Sequence, residues 1–136
     1  MTKALLVKTT GEVEQISLPD QFAYLAIQDH VSGLFDCVYN RDAGICAYVN
    51  DEGLLINLDP NPAISLIFGQ LIVGDAVIVG IFDENGESDG SDRDIPARFL
   101  SDDFRVRAML AGTDEELRAK LVEMRDTIDW TPQVIF

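Results

Sequence analysis

Apolar and polar positions along this chain change period several times, and each change predicts an element. Lys3–Lys8 reads KALLVK and Glu12–Leu18 reads EVEQISL, with Thr9-Thr10-Gly11 between them. The second stretch alternates imperfectly, and a connection this short and glycine-containing predicts a hairpin, β1 and β2. Pro19 ends the strand. Asp20 is then expected to cap a helix over Gln21–Val31, with Gly33 just past its end. Phe22, Leu25, Ala26 and Asp29 would line one face and Tyr24, Ile27 and Val31 a neighbouring one, so a wide apolar arc should cover the sheet.

Leu34–Asn40 and Ile45–Asn50 predict a second hairpin, β3 and β4, joined by Arg41-Asp42-Ala43-Gly44. Within β3 the Phe35, Cys37, Tyr39 face is the expected inward one. Asn50-Asp51-Glu52-Gly53 is a turn by composition. The organising stretch follows, NLDPNPAISLIFGQLIVGDAVIVG over Asn57–Gly80. Asn61-Pro62 predicts a helix start, because Asn accepts bonds from free amides and Pro has its φ already set; Gly69 is the stop. The apolar, β-branched run LIVGDAVIVG then suits a strand buried on both faces.

Beyond Ile81 the pattern breaks. DENGESDGSDRD, Asp83 to Asp94, contains no apolar residue, which predicts an exposed acidic loop over 83–95. Ser101-Asp102-Asp103 opens a segment that Gly112 should close; helix is the preferred reading, although Phe104-Arg105-Val106-Arg107 also alternates like a strand. Thr113-Asp114-Glu115-Glu116 has the form of a capping box, with the Thr113 hydroxyl and Glu116 carboxylate as its reciprocal partners. Leu117, Leu121, Met124 and Ile128 follow as a narrow apolar stripe, and Trp130 to Phe136 form an apolar tail. The fold expected is α+β: a mainly antiparallel or mixed sheet of about five strands, two hairpins plus a central buried strand, packed by an N-terminal helix and C-terminal helices. The organisation expected is a single domain over 1–136, with a C-terminal helical extension over 101–136.

Length and composition fit this picture. A chain of 136 residues, 47% hydrophobic, can bury a core without metal or disulfide support. No apolar run reaches the roughly 18 residues that a membrane helix needs, and the N-terminus lacks a long apolar signal region. A cytoplasmic location is therefore expected, with Cys37 and Cys46 reduced and acting as small hydrophobes. Charge adds the one extreme value. Twenty-four acids against ten bases give a net charge of −14. That disfavours direct binding to nucleic acid or anionic membrane and favours a basic surface on another protein, although solubility alone also accounts for it.

Candidate chemistry is sparse. A calcium-loop alignment of the acidic stretch fails, because from Asp83 the glycine comes at the fourth position instead of the sixth. No metal site and no cofactor is implied, beyond weak nonspecific cation binding by the loop. The one nucleophile and base combination that can be built is Cys37 with His30, and a His at a helix end has an ordinary structural explanation. No phosphate-binding glycine loop, nucleophile elbow or Cys-x-x-Cys motif occurs.

The succession KALLV, LAIQDHVSG, VNDEGLLINLDPNPA and IVGDAVIVG resembles a family of small bacterial, phage and plasmid proteins known as domain of unknown function 3846. The resemblance covers about residues 3–96. It departs at HVSG, where a glycine pair is typical, and the last forty residues look like an addition. The resemblance implies a phage or mobile-element setting and supplies no activity and no catalytic residues. The expected function is that of a small, acidic, nonenzymatic factor that binds another protein, in its sharper form a DNA mimic acting on a basic host protein. Asp83, Glu84, Glu87, Asp89, Asp92 and Asp94, with Trp130 and Phe136, are the expected contact residues. The alternatives are an enzyme using Cys37 and His30 or a metal in the loop, and a protein that self-associates through its C-terminal stripe.

Overall fold

A computed structural model describes residues 1–127 of the chain. Ile128, Trp130 and Phe136 lie outside the described residues, and with them part of the expected stripe and the expected tail. Five strands, β1 (Thr2–Val7), β2 (Val13–Leu18), β3 (Phe35–Asn40), β4 (Ile45–Asn50) and β5 (Ala76–Gly80), form one sheet in the order β2-β1-β5-β4-β3. Every neighbouring pair is antiparallel, so the expected α+β class holds and the sheet is antiparallel throughout. β5, distant in sequence from both hairpins, joins them by pairing with β1 and β4.

The alternation of side chains in β1, β4 and β5 feeds two cores, one on each face of the sheet. Leu5, Val7, Ile45, Ala76 and Ile78 pack with Ile64 of α2 (Pro62–Phe68) and Ala108 of α3 (Asp102–Thr113). On the other face, Ala4, Leu6, Cys46, Val77 and Val79 pack with Ile27 and Val31 of α1 (Ala23–Val31). A last helix, α4 (Glu115–Thr127), buries only Leu121 among its residues. Its arginines attach it: Arg118 donates to the Thr9 carbonyl and Arg125 Nη1 to the Leu58 carbonyl at 3.1 Å.

Several local expectations are corrected. α1 begins at Ala23, after Phe22, with no side-chain cap; the Asp20 carboxylate instead meets the Met1 ammonium at 2.7 Å. Its expected wide apolar arc is narrower, because Ile27 and Val31 are buried against the sheet while Phe22, Tyr24 and Leu25 stay exposed. In β3 both faces are used, Phe35 packing on the α1 side and Val38 on the α2 side. The run 71–80 is not one strand, since Gly74 turns at φ 82° and Val73 bridges to Pro60 before β5 begins at Ala76.

The two C-terminal helices are corrected as well. Gly112 lies inside α3, where its backbone packs against Thr10 and Gly11 too closely to admit a Cβ. The cap of α4 is Asp114, whose Oδ1 accepts the Leu117 amide at 3.0 Å, while the Thr113 hydroxyl donates to the Met109 carbonyl. In the expected stripe, Leu121 is buried and Met124 is 48% exposed.

Candidate functional site

The stretch after β5 carries the densest charge, and its position is set by the sheet. Gly80 and Arg93 exchange two backbone hydrogen bonds of 2.9 Å, which bring the ends of the acidic loop together. Lys3 then holds the exit: its amide donates to Asp94 Oδ1 at 2.8 Å, and its carbonyl accepts from the Ile95 amide at 2.8 Å. A third tie comes from β4, where the Tyr48 hydroxyl donates to the Asp92 carboxylate. Gly80 is the position that permits this approach, because the Asp94 carbonyl occupies the space a Cβ would need.

Inside the loop, aspartates organise the backbone in place of a core. Asp83 Oδ1 accepts the amides of Asn85 and Glu87, both at 2.9 Å. Asp89 Oδ1 accepts the Ser91 amide and hydroxyl, and its Oδ2 meets Arg93 Nη2 at 3.1 Å. Bonds from Ser91, first from its hydroxyl and then from its amide, hold the Asp89 carboxyl down at about 2.

Two adjoining grooves flank Phe82, of about 460 and 390 Å³. Asp83, Glu84 and Asp94 line both; the first adds Asp92 and Arg93, the second Asp42 and Arg98. Four of the six loop carboxylates expected as contacts are thus brought together. Glu87 and Asp89 are exposed on the loop but line neither groove. Asp42, from the β3–β4 turn, was not singled out from the sequence; only the pairing of β4 with β5 places that turn beside Phe82.

The other candidate pair is not assembled. Cys37 sits on β3 across from Tyr48 and beside Cys46 and Asp92, and burial pushes its thiol up, as do the charges of Asp36 and Asp92. Burial pushes Cys46 further, to about 12. Both thiols are thereby held in the less nucleophilic, protonated form. His30 instead lines a separate cavity of about 190 Å³ with Thr9, Ser32, Asp59 and Asp75. Among the described residues, no three His, Cys, Asp or Glu side chains are arranged to hold a metal ion, and no helix is long and apolar enough to cross a membrane.

The motif residues have structural work of their own. Asn61 is fully buried: its Oδ1 caps α2 through the Ile64 amide at 3.1 Å, and its Nδ2 donates to the Val7 and Gly74 carbonyls, both at 3.0 Å. Asp75 Oδ1 accepts the Thr9 amide at 3.0 Å. A family model described as Domain of unknown function (DUF3846) matches residues 1–105. The chain belongs to this family. The DUF3846 match takes in the whole sheet, α1, α2 and the acidic loop, and it ends within α3. No curated protein and no solved structure matches the chain significantly.

Proposed function

We propose that this protein is a nonenzymatic protein-binding factor whose carboxylate-lined grooves engage a basic surface on another protein, in a phage or mobile-element setting. The supporting observation is the convergence of Asp83, Glu84, Asp92 and Asp94 with Asp42 around Phe82. Held by backbone hydrogen bonds at both ends of the loop, these carboxylates present negative charge in a defined arrangement, and a net charge of −14 steers a basic partner toward it. The sharper form is mimicry of nucleic acid, in which carboxylates occupy the Lys and Arg side chains that otherwise contact phosphates.

The test is an affinity capture from host lysate with the full chain as bait, washed at low and high salt, alongside a D83N/E84Q/D94N variant. Salt-sensitive capture of DNA-binding proteins by the parent chain, lost in the variant and competed off by duplex DNA, is the expected result. Capture that the variant retains and that resists salt removes the grooves from the reading. Capture lost in the variant but unaffected by duplex DNA keeps the basic partner and removes the mimicry.

A further inference from the structure

α1 turns its largest apolar side chains to water. Phe22, Tyr24 and Leu25 are 64, 49 and 54% exposed, and the two rings meet edge to face at 6.4 Å. Phe22 also has φ 59° and ψ 32°, a left-handed conformation that a bulky side chain rarely adopts, and its side chain supplies no cap to the helix. A strained backbone that holds an aromatic ring in solvent gains nothing for the core. Such strain persists at sites used for recognition. Exposed aromatic clusters with a polar rim are also the usual anchors of protein interfaces.

The rim identifies the partner's chemistry. Between Lys8 and Arg41 the sequence contains no lysine or arginine; the cations recorded on this side are the Met1 ammonium, paired with Asp20, and Arg41, which lies over the Tyr39 ring of β3. Glu14 lies on the same face of β2 as Ile16, which packs in the α1 core, and Glu14, Asp20 and Asp29 are exposed or largely so. Asp20 uses Oδ1 for the Met1 ammonium, leaving Oδ2 for another donor. The apolar face of α3 differs, because Arg105 and Arg107 border it.

We infer that the outer face of α1 is the docking surface for a basic segment of a partner protein that carries an arginine beside an apolar residue. The guanidinium stacks on the Phe22 or Tyr24 ring and pairs with Asp20, and the apolar neighbour covers Leu25. Arginine fits better than lysine, because its planar fork both stacks on rings and binds carboxylates in parallel. This inference rests on the reading of the chain as a binder of basic proteins, and it assigns the apolar anchor of that contact to α1 residues that line neither acidic groove.

The experiment is an NMR titration of the labelled full chain with three synthetic peptides: one of arginine and leucine, one with its arginines replaced by glutamine, and one with its leucines replaced by serine. Shifts centred on Phe22–Leu25 with the first peptide, at least tenfold weaker binding of the other two, and at least tenfold weaker binding by an F22A/Y24A variant are expected. An F22G variant supplies a structural control. It should raise the melting temperature by relieving the left-handed strain while still weakening the peptide. Absence of binding, shifts centred elsewhere, equal binding of the glutamine peptide, or a dimer of this chain that F22A/Y24A dissolves would each overturn the inference. A D83N/E84Q/D94N variant separates the two readings: loss of peptide binding there but not in F22A/Y24A overturns the α1 surface, whereas loss in F22A/Y24A but not there supports the α1 surface and leaves the grooves to be decided by the lysate capture.

Discussion

Asn61 Nδ2 donates to the Val7 carbonyl at 3.0 Å, joining the cap of α2 to the end of β1 across 54 positions of sequence. The same amide group bonds the Gly74 carbonyl, so one buried side chain fixes a helix start, a strand end and the turn that leads into β5. Asn61→Ala removes the cap and leaves two buried carbonyls without a donor. A cap is worth about 1 kcal/mol and each buried orphan costs about 1–3 kcal/mol, so a loss of ~3 kcal/mol or more is expected in urea denaturation. Asn61→Asp keeps the cap acceptor but sets a carboxylate against two carbonyls, and should be at least as damaging. A loss under ~1 kcal/mol in both would refute this account.

Gly11 and Gly112 touch where the β1–β2 turn meets α3, and a side chain on either collides with backbone of the other segment. Gly112→Ala would normally stabilise a helix interior by about 1 kcal/mol. Here it is expected to destabilise by ~2 kcal/mol, because the obstacle is backbone and cannot rotate away. Gly86→Ala, at φ 76° with open space around it, should cost only about 1 kcal/mol from backbone strain. Melting temperatures of the two variants check the order.

Asp114→Ala should cost α4 about 1 kcal/mol, and Thr113→Ala clearly less, because the aspartate accepts the Leu117 amide while the threonine hydroxyl donates back into α3. Amide exchange across Glu115–Thr127 reports the difference. Equal effects would restore Thr113 as the cap.

The protein should lose stability in alkali. Burial raises the Cys46 thiol from an ordinary 9.0 to about 12 in the folded chain. Burial, with the bond to Asp92, likewise raises the Tyr48 phenol above its ordinary 10.0. Both groups are raised, so the stability they supply is complete below their unfolded values. For Cys46 it falls between about 9 and 12, by up to ~1.4 kcal/mol per pH unit while the unfolded thiol alone is ionised. Cys46→Ala should flatten the start of that fall in a series of urea midpoints, at the cost of a small cavity. An unchanged slope would show that Cys46 does not carry it.

Tyr48→Phe removes the only side-chain tie from β4 to Asp92 among the described residues while leaving the Gly80–Arg93 and Lys3–Asp94 bonds in place. Faster hydrogen exchange between Asp83 and Asp92, with little change in the β-strand amides, is the expected result. Unchanged loop protection would show that the other ties suffice.

What could be read from the chain were the features whose cause is local. Asn61-Pro62 and Gly69 bound α2 because capping, a preset φ and a left-handed stop act within a few residues. β4 has its expected limits because a turn and an apolar alternation define it, and the family followed from the motif residues of the first two thirds. The groove carboxylates of the loop were legible as a charge run. Asp42 was not, because nothing near it in sequence distinguishes it from any other turn aspartate.

Tertiary structure decided what depends on partners far away in sequence. Periodicity alone could not tell which apolar face of α1 would be buried, since both were available; the sheet took Ile27 and Val31 and left Phe22 and Leu25 outside. Gly112 looked like a helix stop because glycine is flexible, yet its use is the space it leaves for Thr10 and Gly11. The strand order β2-β1-β5-β4-β3 likewise arises from β5 pairing with two hairpins that have no contact written into their own sequences. Local chemistry set the elements, whereas the competition of apolar faces for one sheet set what each element buries and what it presents.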